Sequence, residues 1–129
     1  MNKNNKSIQT FFIPGALPGM NEIIAASKKR YKKIPYYSII KNRYTFIIIN
    51  AIKIARIKPV NQFQLNIEWT ERNKKRDPDN IAAGIKFILD SLIITGIIKN
   101  DGWAENKGWT NKFNVGTQPK IKVDIISIS

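Results

Sequence analysis

Gln62-Phe63-Gln64-Leu65-Asn66-Ile67-Glu68-Trp69 alternates polar and apolar residues without a break. A period of two puts Phe63, Leu65, Ile67 and Trp69 on one side, so the stretch reads as a strand with one buried face. Downstream, Ile81, Ile85, Ile88, Leu89 and Leu92 recur at helical steps. That spacing predicts a helix from Asn80 to Thr95, with Gly96 as the left-handed residue that ends it. Upstream, Ile40, Tyr44, Ile47, Ile48, Ala51, Ile54 and Ala55 repeat in the same way, which predicts a helix from Ser38 to Ile57 with Ser38 as N-cap. Ile8 to Ile13 reads as a first strand, stopped by Pro14 and Gly15 and followed by a loop through Asn21. Lys28-Lys29-Arg30-Tyr31-Lys32-Lys33 has no apolar period, and Pro35 closes it; the run is expected on a mobile loop. Phe113 to Val115 and Ile121 to Ile128 read as an antiparallel pair. The expected fold is therefore α+β, a small mixed sheet with two main helices in the order strand-helix-strand-helix-strand-strand.

The chain has 129 residues, of which 43% are hydrophobic, enough for one folded domain spanning 1–129 and too few for two. It contains no Cys and no His. Disulfide frameworks, Cys/His zinc sites, thiol nucleophiles and histidine bases are thereby excluded, leaving carboxylates, Lys, hydroxyls or a hard metal for any chemistry. A formal charge of +13, from 22 basic and 9 acidic side chains, points to a polyanionic partner. Nucleic acid is the first choice, and an anionic membrane surface would attract the same charge. The residues after Met1 are polar and Lys-rich, and the longest apolar runs are too short to span a bilayer, so a cytoplasmic protein outside the membrane is expected. Heavy use of Ile, Lys and Asn fits an AT-rich host or mobile element.

The acids are few enough to weigh singly. Asp77, Asp79, Asp90 and Asp101 fall in one window of 25 residues. Asp77-Pro78-Asp79-Asn80 lies at the junction of strand and helix; in extended chain, positions i and i+2 share a face, so both carboxylates can reach one ion. At about 100° per residue, Asp79, Lys86 and Asp90 fall within about 40° of one another on the helix, opposite its apolar stripe. Each has an ordinary structural use as well: Asp79 as N-cap, Asp77 and Asp101 as turn acids, Lys86 and Asp90 as an exposed pair. Together, carboxylates without Cys or His are the ligand set of Mg²⁺ or Mn²⁺. Arg72, Lys74, Lys75 and Arg76 precede them directly, and a phosphodiester calls for cations on the flanking phosphates beside acids that hold a metal.

Lys75-Arg76-Asp77-Pro78-Asp79-Asn80, then Lys86 and Asp90 one turn apart, then Gly96 and Asn100-Asp101, resembles the RusA family of Holliday junction resolvases. Pro18-Gly19-Met20-Asn21 is similar to the family's N-terminal turn. Asn100 stands where the family often has a second Asp, and the step from Asp79 to Lys86 is longer than is usual there. The resemblance implies a Mg²⁺-dependent homodimeric endonuclease, with Mn²⁺ as a substitute ion and no small-molecule cofactor, that resolves four-way DNA junctions by paired symmetric nicks. It implies Asp77, Asp79 and Asp101 as catalytic metal ligands, Lys86 as the catalytic-side lysine, Asp90 and Asn80 in support, and a metal-activated water attacking phosphorus in line.

The basic groups Arg72, Lys74, Lys75 and Arg76, with Lys28, Lys29, Arg30, Lys32 and Lys33, are the expected DNA contacts. Tyr31 has two open readings, a base-stacking residue or part of a solvated loop. Trp103 and Trp109 are expected to anchor a long loop to the core ahead of stacking on bases. Asp90 with Glu105-Asn106-Lys107 offers only a superficial restriction-nuclease pattern. The rival reading is a basic nucleic-acid-binding protein of a prophage or mobile element without catalysis, its acids serving as caps and turns.

Overall fold

The computed structural model describes residues 7–128; the polar lead after Met1 lies outside them. Ten elements follow one another: β1 (Ile8–Pro14), α1 (Met20–Ser27), β2 (Arg30–Tyr31), β3 (Ile34–Pro35), α2 (Tyr36–Ile54), β4 (Gln62–Glu71), α3 (Pro78–Ala82), α4 (Ile85–Ile94), β5 (Asn106–Val115) and β6 (Lys120–Ile128). The main sheet has the order β1-β6-β4-β5, and β2 and β3 form a separate hairpin. β4 runs parallel to β5, while β6 is antiparallel to both β4 and β1. This is the mixed α+β architecture expected, with the main strands and helices in the expected order.

β4 keeps its period of two. Phe63, Leu65, Ile67 and Trp69 are buried beneath the helices, and Ile121, Val123 and Ile125 of β6 and Phe11 and Ile13 of β1 continue the same apolar layer. Ile48 and Ile52 of α2 and Phe87, Ile88 and Leu92 of α4 close it from above. Polar partners cross the other face: Thr10 to Asp124 at 2.6 Å, Thr110 to Asn66 at 2.7 Å and Asn114 to Glu68 at 2.8 Å. Among the described residues no helix is long and apolar enough to cross a membrane.

The parallel pairing of β4 and β5 follows from the helices between them, which carry the chain back along the sheet before β5 begins. Gly96 ends α4 as its position predicts, with φ of 76°. The Ile97 N–H reaches the Leu92 carbonyl at 3.0 Å and the Gly96 N–H reaches Ile93 at 3.0 Å, the pair of bonds that closes a Schellman turn.

Several expectations are corrected. The last two strands are not a pair: β6 inserts between β1 and β4, and β5 is left on the edge. Ile121, Val123 and Ile125 need a central position to be covered, whereas the polar β5 tolerates an edge. β5 also starts earlier than expected, at Asn106, because its backbone pairs with β4 even where its side chains carry no apolar signal. The loop through Asn21 gives way at Met20 to α1, and the run Lys28 to Lys33 is partly ordered as the β2–β3 hairpin, with Lys32 at φ of 58° in its turn. α2 begins two residues before Ser38, with Pro35 at the N-cap position, and ends at Ile54.

The helix expected from Asn80 to Thr95 is broken into α3 and α4. At the break, Gly84 N–H bonds Ile81 and Phe87 N–H bonds Gly84, both over three residues and both at 3.1 Å. The packing there leaves room only for glycine: a Cβ on Gly84 would lie 3.1 Å from the Leu17 Cβ and 3.2 Å from the Trp69 ring. Gly84→Ala is therefore expected to destabilise the fold by about 1–3 kcal/mol, measured as a lower thermal midpoint, while Ala83→Gly at the same break should change it by less than that.

Candidate active site

Where β4 ends, one guanidinium gathers the chain. Arg76 donates from Nε to Glu71 Oε1 at 2.9 Å and from Nη2 to Glu71 Oε2 at 3.0 Å. Its Nη1 donates to the Leu17 carbonyl at 3.0 Å and lies 3.4 Å from Glu22 Oε1. The Arg76 and Glu71 side chains are only 19% and 13% exposed, and two-pronged geometry of this kind makes a strong and directional pair. Glu22 is itself positioned by a capping bond, its Oε2 accepting the Gly19 N–H at 2.9 Å. Arg76 thus joins the end of β4, the loop before α1, and α1. Expected as a DNA contact, it gives four of its five N–H groups to partners within the chain.

Held by that tie, the chain enters α3 through Asp77, which is extended at φ −73°, ψ 154° and occupies the N-cap position. Its carbonyl accepts the first helical bond, from Ile81 at 3.0 Å, but its carboxylate makes no capping bond. The N-cap is thus Asp77 and not Asp79, which sits in the first turn. Both side chains are exposed, and neither takes part in an ion pair among the described residues. Asp77 borders a hollow of about 590 Å³ whose other walls include Lys74, Ile81, Phe113 and Val115. Asn80 has a structural duty: its Oδ1 accepts the Asn21 N–H at 2.9 Å, and a Cβ on Gly19 would collide with it at 2.6 Å. The Pro18-Gly19-Met20-Asn21 turn and the acidic block are therefore in direct contact.

Asp101 is elsewhere. α4 returns the chain to the start of β4, where the Val60 N–H bonds Ile97 and the Phe63 N–H bonds Glu105, each at 2.9 Å. Asp101 lies in that region, against a hollow of about 500 Å³ with Trp103, Lys107 and Trp109. The ten residues of β4 separate it from Asp77 by about 30 Å along the strand. Among the described residues no three acidic side chains are grouped closely enough to hold an ion. Within one chain, then, Asp77 and Asp79 are near neighbours and Asp101 is not with them.

The expected line of Asp79, Lys86 and Asp90 is interrupted by the break at Gly84. Lys86 is exposed at the start of α4, and Asp90 pairs with Lys41 of α2 at 3.4 Å. Arg72, Lys74 and Lys75 are exposed on the loop before Asp77, and Lys28, Lys29, Arg30, Lys32 and Lys33 are exposed around the hairpin. Tyr31 is 62% exposed, with the Lys32 ammonium 5.8 Å from its ring. Trp103 is 96% exposed and anchors nothing, while Trp109 belongs to β5 and is half-exposed. Glu71 and Glu22, which orient the site through Arg76, carry no local sequence signal for that role; Gly19 followed by Glu22 at the capping distance was the only readable trace. No protein-family model matches the chain, and no curated protein matches it.

Arg76→Ala should strand the partly buried Glu71 carboxylate and release the exposed Glu22, lowering stability by about 2–3 kcal/mol. Arg76→Lys should recover less than half of this, because an ammonium cannot reproduce the two-pronged bond; urea unfolding of the three proteins measures both effects.

Proposed function

We propose that this chain is a Mg²⁺-dependent endonuclease of the RusA resolvase type, acting as a two-fold dimer on four-way DNA junctions. One observation carries the reading: two exposed carboxylates, Asp77 and Asp79, follow the end of β4 directly after the exposed cations Arg72, Lys74 and Lys75, and among the described residues none of the five forms an ion pair. Mg²⁺ is a hard ion that commonly takes one or two carboxylates, leaving its remaining positions to water and substrate phosphate, so this donor pair fits it. Bound there, the ion supplies positive charge at the phosphodiester and makes water more acidic. The chain's own part is positional. Arg76 fixes the approach of the two acids, and the neighbouring cations hold phosphates on either side of the cut. Lys86, at the start of α4 beyond the break, is the lysine that the family resemblance offers for charge developing on phosphate.

The separation of Asp101 is reconciled by the dimer. β5 is an edge strand of ten residues whose outer side meets no other strand among the described residues, and on its helix-side face Trp109, Phe113 and Val115 are 46%, 36% and 51% exposed. Three exposed apolar side chains along an open, otherwise polar edge favour a partner there. If two copies pair antiparallel along β5, the Asn106 end of each lies beside the Val115 end of the other. Asp101 of the partner subunit then approaches the hollow that Asp77 borders, and two equivalent sites arise about one axis.

Cleavage of a labelled four-way junction beside a linear duplex, with Mg²⁺ or with EDTA, tests the activity. Paired nicks in the junction alone are expected, abolished by EDTA and reduced at least about a hundredfold by Asp79→Asn. Junction binding with no nicks under any divalent ion would favour the binding-protein reading. A mixing experiment tests the shared site. Asp79→Asn and Asp101→Asn should each be inactive alone, and after exchange of subunits their heterodimers should nick one strand, since one complete site remains. Sites contained in single chains would give no recovery.

A further inference from the structure

On the side of the Arg76 tie away from Asp77 there is a second cleft, of about 520 Å³, between α2, the loop before α1 and the loop after β4. Its volume lies in the range of about 300–1,000 Å³ usual for sites that take small molecules. Tyr36, Ile39 and Tyr44 of α2 give it an aromatic and aliphatic wall, and Arg43, Arg72 and Lys75 stand around it. The Arg43 guanidinium carbon is 5.9 Å from the centre of the Tyr44 ring. The acids of this cleft, Glu22 and Glu71, are both engaged by Arg76, whereas Arg43, Arg72 and Lys75 form no ion pair among the described residues. An occupant must therefore bring a flat apolar body together with negative charge. The hollow between β1 and α2, bordered by Phe12, Phe46 and Ile54, makes no such demand, being lined without any charged side chain.

We propose that this cleft receives one unpaired deoxynucleotide, its base against Tyr36 and Tyr44 and its phosphate held by Arg43, Arg72 and Lys75. A base within a duplex is stacked and out of reach, so the occupant comes from single-stranded or opened DNA. Glu71, Asn73 and Arg76 border both this cleft and the hollow beside Asp77, which sets the captured nucleotide next to the cut. That adjacency rests on the nuclease reading; capture of the nucleotide does not. Its role would be to select DNA whose bases are already unpaired near the branch.

The test is run in EDTA, where cleavage plays no part. Binding of fluorescein-labelled hexathymidylate is compared with binding of a hexamer of abasic residues carrying the same phosphates. The wild type should prefer the thymidylate by about tenfold. Tyr36→Ala should erase the preference and Tyr36→Phe should keep it, because stacking needs the ring and not the hydroxyl. Arg43→Gln should weaken binding of both hexamers alike, and unchanged circular dichroism should show that each variant is folded. Equal wild-type affinity for the two hexamers, no measurable binding of either, or a base preference that survives Tyr36→Ala would overturn the proposal. A junction left uncut, with the base preference present and lost in Tyr36→Ala, would instead reject the nuclease reading and leave this site standing.

Discussion

The bidentate bond between Arg76 and Glu71 is the constraint on which the working end of the molecule depends. Glu71 is the last residue of β4, Arg76 precedes the N-cap of α3, and the same guanidinium reaches the Leu17 carbonyl and Glu22. Two stretches of chain remote from each other in sequence, Leu17 to Glu22 and Glu71 to Arg76, are fixed by one planar group. A lysine in its place would offer a point charge and could not set their relative angles. The pair is enclosed enough that solvent weakens it little, and each partner without the other would be a costly group to leave behind.

The same tie has a chemical corollary. It consumes the acids on one side of the loop and leaves those on the other side unpaired, so carboxylates and cations sit in a sorted arrangement within a few residues. Asp77 and Asp79 keep their lone pairs for an outside ligand because neither is spent on Lys74 or Lys75. Arg72, Lys74 and Lys75 keep their charge because Glu71 is already occupied. A chain carrying +13 could have paired all its scarce acids with cations; at this end Arg76 takes Glu22 and Glu71, and Asp77 and Asp79 form no ion pair among the described residues.

How much of this was legible in the sequence depends on the range of the forces involved. β4, α2 and the stop at Gly96 are written in local periodicity and in the backbone freedom of glycine, and they are found where expected. The placing of Asp77 and Asp79 on one face assumed an extended chain, whereas Pro78 and Asp79 are already helical and only Asp77 is extended. α1 is eight residues long, too short for its pattern to stand out, and β5 is an edge strand with little to bury. The break falls at Gly84, which is packed against Trp69 and Leu17, residues remote in sequence. The distance from Asp101 to Asp77 depends on which way α4 runs along the sheet and on which strand β5 joins, and neither is a local property. The angular argument for Asp79, Lys86 and Asp90 failed for that reason, since it assumed one unbroken helix.

The strand order has a further consequence, in time. Among the described residues β1 is made first of the six strands, yet it pairs with β6 alone, made last, with Ile8 opposite Ile126 and Ile13 opposite Ile121. β6 is also central, and β4 has no other antiparallel neighbour. While the chain is being synthesised, the sheet therefore waits for its final strand, and β1 and β4 present apolar faces until it arrives. Long-range pairing of this kind slows folding and lengthens the exposure of sticky intermediates. Losing the last strand would not trim the sheet at its margin but split it down the middle, separating β1 from the half that carries the acidic site.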